Sequence, residues 1–475
     1  MTLAEIHYLG DKPNDKNVER SLRRIQELKS VRSPIICLPD IHFKSSLDAP
    51  TSISVATRGT VVRSITTSSP GCAIGILKTS LTKGDVTEKF LEEFYERINR
   101  DLVYPRRSRF RDLLIWLGLI DIPHTRYDFS LAELKDIVER GAEAAVKKYE
   151  LGNEFLTEKE NHGNVMDADE YANFGFNSLV PRSALRFGMH NIGDSLKGNH
   201  FIEIQYVEEI ADTEMARRWG LEKGQVLIMY HGGDGIFAAT VGKYFANRER
   251  WSWKKWLAEG PSKLLFHFGS LEGVKNIRAR WNYYFRHIPF QEVPADTREG
   301  KRLFLSFSVA LNHSYAFRLA TVRRIMDSMN GCYPGRTISF SPLWEGVHTS
   351  VTKERIAGED LIVHRSGTTR VTPGKPVIIS GHSTASSYIG LGLPEAEKYL
   401  FSADHGAGET IKRYKKERGE KPHPKRYETK MFTRKGGCEV VAHIENDGLD
   451  YLINHLEREH IVSPVALVRP LAVLK

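Results

Sequence analysis

Residues 33–81 decide the fold class, because they contain four strand-like runs in succession. The runs are SPIICLPD (33–40), TSISVA (51–56), GTVVRSITT (59–67) and AIGILKTSL (73–81). Glycine, proline and serine separate them, as the ends of short strands require. The stretch therefore predicts a group of strands close together in the first part of the chain.

Helices and further strands follow this stretch without regular alternation. Apolar residues three and four apart predict surface helices, and good helix formers predict longer ones, over 15–30, 88–102, 131–152 and 306–329. Strands are predicted at 200–210 and 226–231, and shorter ones later in the chain. Because strands and helices do not alternate steadily, the sequence predicts an α+β fold, and no Pro/Gly/Ser linker divides its 475 residues.

Composition favours a cytoplasmic protein with polyanionic partners. The net charge is +9, a modest lean toward nucleic acid, with plain solubility as the alternative. The four cysteines form no CxxC pair, which favours reduced thiols over a disulfide framework. The first residues lack the apolar core of a signal peptide, and no apolar run of membrane-spanning length follows, so we expect no membrane association.

Polar, metal-capable or phosphate-capable residues follow several of the predicted strands. The segments are LPDIH (38–42), SSPGC (68–72), KGNHFIE (197–203), MYHGG (229–233) and FSADHGAG (401–408). Loops at strand ends are where rigid scaffolds usually carry functional groups. One thiol and three imidazoles from this set and from GVHTS could form a four-ligand metal site, for which ligand type favours zinc: Cys72, His200, His231 and His348. For each histidine alone, an ordinary core or surface role is the alternative.

The HGAG run at 405–408 precedes a predicted helix, ETIKRYKKE. Small residues allow close backbone approach to a phosphate, and a helix N-terminus supplies N–H donors, so His405 could attack a nucleoside triphosphate. A tight turn with an incidental histidine is the alternative. Basic runs with interleaved aromatics, at 104–111, 278–287 and 412–430, suggest RNA contacts, with a solvated charged face as the alternative.

Taken in order, these segments resemble the RtcB family of RNA ligases. The quoted matches run from Pro39-Asp40-Ile41-His42 through Gly198-Asn199-His200-Phe201-Ile202-Glu203, VHRSGTTR (363–370) and Ser380-Gly381-His382-Ser383 to HGAG and the terminal RPLAVLK. The chain departs from the family pattern where Ser69 replaces a metal-binding aspartate and Glu409 replaces an arginine. Stretches at about 84–130, 240–300 and 412–440 match nothing in the pattern and are expected to be insertions in one ligase domain, 1–475.

The resemblance implies a single α+β domain whose mixed and antiparallel sheets surround a metal and nucleotide cleft. It implies Mn²⁺, as one or two ions with Zn²⁺ as the alternative, and GTP as cofactors. His405 would become guanylylated with Asp40 as a second catalytic residue. The nucleotide would be held by three groups of residues: Asn199, His200, Phe201, Ile202 and Glu203; His348 and Thr349; and Ser380, Gly381, His382, Ser383, Ser387, His405, Gly406, Ala407, Gly408 and Lys475.

The implied reaction joins RNA 3′-phosphate or 2′,3′-cyclic phosphate ends to 5′-hydroxyl ends, as in tRNA splicing or RNA repair, with an activating protein as an open further partner. Two alternatives remain from the residues. A metallophosphoesterase would use Asp40, His42, Gly193-Asp194, Gly198-Asn199-His200 and Gly381-His382. The spacing argues against it, because Gly193-Asp194 lies only four residues before Gly198-Asn199-His200, where that fold has a βα unit. A non-catalytic RNA-binding relative is suggested by Ser69 and Glu409.

Overall fold

The computed structural model describes residues 3–66, 69–101, 125–190, 192–193, 198–246, 251–433 and 436–475. The predicted basic run at 104–111 lies outside these residues, as does Asp194 of the phosphoesterase alternative.

The strands within the described residues are β1 Ile6–Tyr8, β2 Val31–His42, β3 Thr51–Thr57, β4 Thr60–Val62, β5 Ala73–Thr82, β6 Phe201–Ile210, β7 Gln225–Gly232, β8 Glu292–Pro294, β9 Phe340–Val347, β10 Thr349–Ile356, β11 Glu359–Ser366, β12 Thr368–Arg370, β13 Pro376–Ile379, β14 Ser387–Gly392, β15 Ser402–Asp404, β16 Glu428–Phe432, β17 Cys438–Ala442 and β18 Val462–Leu474.

The α-helices are α1 Lys16–Gln26, α2 Glu88–Asp101, α3 Leu131–Arg140, α4 Ala142–Lys148, α5 Glu154–Thr157, α6 Ala168–Ala172, α7 Phe176–Leu179, α8 Arg182–Met189, α9 Thr213–Trp219, α10 Gly235–Phe245, α11 Trp253–Phe268, α12 Leu271–Lys275, α13 Ile277–Arg280, α14 Arg298–Gly331, α15 Gly408–Arg418 and α16 Asp447–Arg458. A π-helical turn, Trp281–Phe285, continues α13.

The central sheet has the order β13-β14-β18-β6-β7-β5-β9, with β16 and β17 attached at β18. Its neighbours along the main path are antiparallel. In an antiparallel sheet, the start of one strand lies beside the end of the next. One edge of this sheet therefore collects the starts of β5 and β6 and the ends of β7 and β9, which are the strands preceded or followed by the predicted metal ligands.

A second sheet, β1-β2-β3-β11-β10, and the pair β12-β15 bring the loops predicted to bind a nucleotide to the same region. Helix α14 runs for 34 residues and is buried along most of its length, including polar side chains such as Asn312 and Arg318. A helix with so few exposed positions is a core element that supports the sheets. Its N-cap is Thr297, whose side chain accepts a hydrogen bond from the Gly300 N–H.

Two local predictions were wrong. The single helix expected over 131–152 is two helices, because Gly141 has φ 63° and a side chain there would lie 2.1 Å from the Gly163 carbonyl oxygen. The strand expected over 59–67 ends at Val62 and continues as a 3₁₀ turn at Arg63–Ile65. The first departure comes from a close contact between distant parts of the chain, which the local pattern does not record.

The predicted fold class is confirmed: mixed and antiparallel sheets combine with helices that follow no regular βαβ order. Apolar side chains from both large sheets and α14 form the core. Among the described residues, the helices are all too short or too polar to cross a bilayer.

Candidate metal and nucleotide site

Four neighbouring strands place the thiol and the imidazoles together. Cys72 precedes β5, and His231 lies in β7 opposite Ile74 of β5 and Phe201 of β6. His200 precedes β6, and His348 follows β9, where its backbone N–H donates to the Cys72 carbonyl at 3.0 Å. The pairing register of these strands therefore brings together residues as distant in the sequence as Cys72 and His348, which are 276 positions apart.

The side chains of this group are within hydrogen-bonding distance of one another. Cys72 Sγ lies 3.3 Å from Nε2 of His200 and 3.3 Å from Nε2 of His231, and the Nε2 atoms of His231 and His348 are 3.0 Å apart. The ligand atoms of Cys72, His231 and His348 all fall within 4.8 Å of each other. His200 joins this trio through its contact with the thiol.

Burial sets the protonation of these groups. It lowers the pKa of His231 and of His348 well below the ordinary histidine value, with the neighbouring imidazoles adding to the effect. Burial also raises the pKa of the Cys72 thiol to about 12, while Arg318 acts in the opposite direction. The Nδ1–H of His231 donates to the Asn199 carbonyl at 3.2 Å, so its Nε2 carries the lone pair. Nitrogen lone pairs and a sulfur that converge in this way fit a divalent cation.

A buried ion-pair network supports the turn that carries Cys72. Arg318 of α14 donates to the Gly71 carbonyl at 2.5 Å and pairs with Glu345 of β9 at 2.8 Å. Glu345 also accepts from Lys159 at 2.6 Å and from the Tyr230 hydroxyl at 2.9 Å. The two cations lower the pKa of Glu345 to about 2 against the effect of burial. The network thus links the backbone beside the thiol to the strands carrying His231 and His348.

His405 follows β15 and lies against the metal-ligand group. Its ring stacks on His348 with centroids 4.1 Å apart and an interplanar angle of 19°. Its Nδ1–H donates to the Gly367 carbonyl at 2.7 Å, which leaves Nε2 as the lone-pair nitrogen. Burial lowers the pKa of His405 to about 4, so the imidazole is neutral at pH 7. A neutral imidazole with one fixed N–H has the properties of a nucleophile.

A cavity of about 560 Å³ opens beside His405. That volume is in the range of sites for drug-sized ligands. The predicted residues that line it come from segments 38–42, 197–203, 229–233 and 401–408, from 380–387 and from the last residue: Asp40, Asn199, Phe201, Glu203, His231, Ser380, Gly381, His382, Ser383, Ser387, His405, Gly406, Gly408 and Lys475. Lys475 reaches the cavity because the end of β18 pairs with the start of β6.

Small residues let two loops meet at the floor of this cavity. Ser380 and Gly406 form an isolated bridge: the Ser380 N–H donates to the His405 carbonyl at 3.1 Å, and the Ala407 N–H donates to the Ser380 carbonyl at 2.9 Å. A Cβ on Gly406 would lie 2.8 Å from the Ser380 hydroxyl oxygen, whereas a Cβ on Gly408 would meet nothing within 4 Å. Gly406 therefore serves packing, and Gly408 leaves open space at the N-terminus of α15.

Asp40 anchors the start of α15 rather than facing open solvent. Its Oδ1 accepts from the Thr410 N–H at 2.6 Å and from the Thr410 hydroxyl at 2.8 Å. Burial raises the pKa of Asp40, and burial together with Asp40 raises the pKa of Asp404 well above its ordinary value. These two carboxyl groups flank the loop that carries His405.

Glu203 is the other buried carboxyl group of the cavity. Burial raises its pKa to about 8, and the side-chain amide of Gln205 donates to it. Gln205 also donates to Ser387 Oγ at 3.4 Å, and that hydroxyl accepts from the Gly381 N–H at 2.9 Å. The Glu203 carboxyl group is therefore neutral over much of the physiological range.

Some predicted residues lie behind the cavity wall instead of on it. His200, Ile202, His348, Thr349 and Ala407 do not line the cavity, although His200 and His348 contact the metal-ligand group. Thr349 Oγ1 lies 3.3 Å from His348 Nδ1, so it orients that ring. Ile202 packs in the hydrophobic core. Successive side chains along β6 point to opposite faces of the sheet, so Ile202 faces away from the side on which Glu203 lies.

The basic runs have more structural roles than the sequence suggested. Within 278–287, Arg280 is buried and pairs with Glu299 at 2.7 Å and with Glu272 at 3.0 Å. Within 412–430, the Tyr427 hydroxyl donates to Glu208 at 2.7 Å, so its ring is tied to the protein. Lys412 lines the cavity and lies 3.3 Å from Glu409.

Sequence reasoning did not assign roles to two basic residues of the cavity, Lys44 and Lys412. Lys44 lies two residues after the matched Pro-Asp-Ile-His segment and contributes to the lowered pKa of His405, so its charge is close to the imidazole. The position of this lysine, so near a matched segment, was the feature of the sequence that could have indicated its place in the cavity. Lys412, one turn after Gly408 on α15, was named only as part of a basic run.

The chain is similar over most of its length to known proteins. The family described as RtcB, tRNA-splicing ligase RtcB, matches residues 21–475. A protein named tRNA-splicing ligase RtcB from Methanococcus maripaludis is 26% identical over 365 residues, covering 72% of this chain and 66% of the relative. A protein of the same name from Pyrococcus abyssi is 25% identical over 433 residues, covering 85% of this chain.

The share of the relatives that is matched varies widely. It is 42% of the Pyrococcus abyssi protein but 79% of the one from Thermococcus kodakarensis, which is 24% identical over 432 residues and has the same name. The chain therefore spans less than half the length of some curated relatives and most of the length of others.

Proposed function

Since the chain belongs to the RtcB family, we propose that it is a metal- and GTP-dependent RNA ligase with His405 as its guanylylated nucleophile. In this proposal the substrates are RNA 3′-phosphate or 2′,3′-cyclic phosphate ends and 5′-hydroxyl ends. The supporting relatives carry the name tRNA-splicing ligase.

One observation carries the proposal: His405 is held between a fixed acceptor and the metal-ligand group. The 2.7 Å hydrogen bond to Gly367 fixes the Nδ1–H tautomer, and the 4.1 Å stack on His348 fixes the ring plane. An incidental turn histidine would not need both restraints. The Nε2 lone pair is the only remaining nucleophilic position on that ring.

The donor set fits a metal ion. Cys72, His200, His231 and His348 would hold it, since their sulfur and nitrogen atoms converge in a buried group. We propose Mn²⁺ from the family resemblance, with Zn²⁺ as the alternative that the ligand types favour. The ion would supply Lewis-acid charge to phosphate oxygens. Ser69, at the position of the family's aspartate, offers no carboxylate for a second ion.

The cavity fits a nucleotide beside His405. Gly406 and Gly408 keep the phosphate end free of side chains, and the N-terminus of α15 faces the same space, where helix N–H groups favour anions. Lys44 and Lys475 supply positive charge at the wall. At the other end Glu203, neutral over much of the physiological range, can donate a hydrogen bond to a base.

The proposed reaction has three transfers. His405 Nε2 attacks the α-phosphorus of GTP, a P–N bond forms, and pyrophosphate leaves. A 2′,3′-cyclic phosphate end first adds water at phosphorus, which breaks the bond to the 2′-oxygen and gives a 3′-phosphate and a 2′-hydroxyl. An oxygen of the RNA 3′-phosphate then attacks the phosphorus of the histidine-bound GMP and releases His405. The 5′-hydroxyl oxygen of the second RNA attacks the 3′-phosphorus, forms the phosphodiester, and displaces GMP. Fixed donors that meet the developing charge lower each barrier. Asp40 contributes by holding Thr410 and the first turn of α15 beside His405.

We further propose that residues 1–475 form one ligase unit with insertions at about 84–130, 240–300 and 412–440, supported by the family match from 21 to 475. A cytoplasmic location is proposed because the thiol of Cys72 must stay reduced to bind a metal. Whether an activating protein is needed is answered by the activity of the purified chain alone.

The test is uptake of label from GTP that is radioactive at the α-phosphate, measured with Mn²⁺ and separately with Zn²⁺. We expect wild type to retain label after denaturation, and His405→Ala to retain none. The matched control is His460→Asn, at an exposed histidine with φ 53°, a conformation that asparagine tolerates. It should label like wild type.

Equal labelling of His405→Ala and wild type would remove His405 from the reaction. Absence of label in wild type with every divalent metal tested would remove the guanylylation step. Phosphate release from a simple phosphodiester without GTP would instead support the metallophosphoesterase alternative, whose Asp40 and His42 also border the cavity.

A further inference from the structure

A second cavity, of about 430 Å³, lies on the other side of the loop that borders the nucleotide cleft. Residues Phe43 and Lys44 line the first cavity, and the next four residues, 45–48, line the second. Four consecutive residues span at most about 14 Å when extended, so the two cavities are within a few nucleotides of each other.

Positive charge dominates the second cavity. Its lining includes Arg63, Lys243 and Lys255. Arg63 is 7% exposed, which makes it a cation built into the wall. Among the lining residues that the structure describes, Asp48 is the acidic one. A mostly basic concave surface concentrates an anionic ligand.

A buried lysine lies behind this wall. Lys263 is 2% exposed, and its Nζ donates to the Lys243 carbonyl at 2.7 Å. Burial, with Arg63 as the second cause, lowers the pKa of Lys263 to about 7. A phosphate entering the cavity would favour the charged form of this lysine, so binding and protonation would reinforce each other.

Trp251 provides an aromatic surface beside these cations. It lines the cavity and is partly exposed, with Lys255 Nζ 5.4 Å and Lys263 Nζ 5.0 Å from its ring centroid. Trp256 packs against it edge-on, with centroids 5.2 Å apart. Cationic groups interleaved with a supported aromatic face are the chemistry by which proteins hold unpaired nucleotides.

We propose that this second cavity binds a nucleotide of the single-stranded RNA substrate, with Lys243, Lys255 and Arg63 contacting phosphate and Trp251 stacking on an unpaired base. This inference rests on the proposed ligase function. It adds where the RNA substrate would run beyond the two ends that react. It also gives a role to the 240–300 stretch, which lies outside the matched motifs.

The test compares two double variants that change charge equally. Lys243→Glu with Lys255→Glu reverses charge at the cavity, and Lys254→Glu with Lys275→Glu reverses it at exposed positions that do not line it. The probe is a fluorescent single-stranded RNA of about twelve nucleotides with a 5′-hydroxyl and a 3′-phosphate, titrated at several salt concentrations. Thermal melting confirms that both variants are folded.

We expect the cavity variant to bind at least about tenfold more weakly than the control, with a salt dependence reduced by about one to two ions. Trp251→Ala should weaken single-stranded binding about tenfold and change duplex binding little. Equal weakening in the two double variants would overturn the proposal in favour of a general basic surface. An unchanged affinity of Trp251→Ala for the single strand would exclude base stacking there.

Labelling by GTP in the same wild-type preparation separates this inference from the proposed function. If wild type takes up no label while the cavity variant alone loses RNA affinity, the guanylylation proposal fails and the RNA cavity is supported. If wild type is labelled while both double variants bind RNA equally, the RNA cavity fails and the proposed function stands.

Discussion

Replacing Arg318 with methionine is expected to destabilise the fold and loosen the metal-ligand group together. Arg318 is 1% exposed and joins the Gly71 carbonyl, which precedes Cys72, to Glu345 on β9. Methionine fills a similar volume but offers no donor, so it removes these contacts without creating a large cavity.

The expected loss of stability depends on the contacts that Glu345 keeps after the substitution. Breaking a fully buried ion pair usually costs about 3–5 kcal/mol, because the remaining charge is left uncompensated. Here Lys159 at 2.6 Å and the Tyr230 hydroxyl at 2.9 Å still contact Glu345, so we expect the lower end, about 3 kcal/mol. Loss of the donor to Gly71 should also weaken metal binding about tenfold, as removal of groups that orient ligands usually does.

Urea unfolding of both proteins measures the first effect, and metal retention against a competing chelator measures the second. The matched control is Arg58→Met, because Arg58 pairs with Glu359 at the surface and is 61% exposed. Exposed pairs contribute at most about 1 kcal/mol, so this variant should differ little from wild type.

The reasoning is refuted if Arg318→Met and Arg58→Met unfold at the same urea concentration. A large loss of stability with unchanged metal retention would show that the network supports the core but does not hold the turn before Cys72.

Two further predictions concern the thiol and the buried acid. Cys72→Ala should lower the metal content of the purified protein and abolish GTP labelling, while Cys438→Ala, at an exposed cysteine, should leave metal content unchanged; elemental analysis decides, and full metal in the first variant would contradict the site. Burial raises the pKa of Glu203 from 4.5 to about 8, because the folded protein favours the neutral carboxyl group. The folded state of wild type therefore has its full stability from this group below about pH 4.5 and loses that stability as the pH rises through 8. Glu203→Gln should therefore gain stability relative to wild type between pH 5 and 9, by roughly 2–4 kcal/mol at the upper end, in denaturant unfolding; a constant difference across that range would show that the carboxyl group is not held neutral. Glu439→Gln, at an exposed glutamate, is the control and should show no such trend.

Much of the secondary structure followed from local pattern. Helix α1 and strands β6 and β7 lie close to where periodicity placed them, because each has one face packed on the core and shows it in the sequence. The break at Gly141 was missed, since its cause is a contact with Gly163, which no local pattern records.

The candidate metal and nucleotide residues were predicted from the sequence through the motifs that resemble the family. Their side-chain chemistry alone could identify a thiol, imidazoles and a glycine-containing loop, but not their proximity. The separation of Cys72 from Glu345 and Arg318 along the chain also hid the network between them, because ion-pair partners in different elements leave no spacing signal.

By itself, the sequence determined the kinds of group available: a few thiols, several imidazoles, small residues in loops and strands that end beside them. The tertiary structure decided which of these groups meet, since antiparallel register brings the ends of β7 and β9 to the starts of β5 and β6. It also decided that His405 is neutral and tautomerically fixed, because burial and the Gly367 carbonyl act only after folding has brought them to the ring.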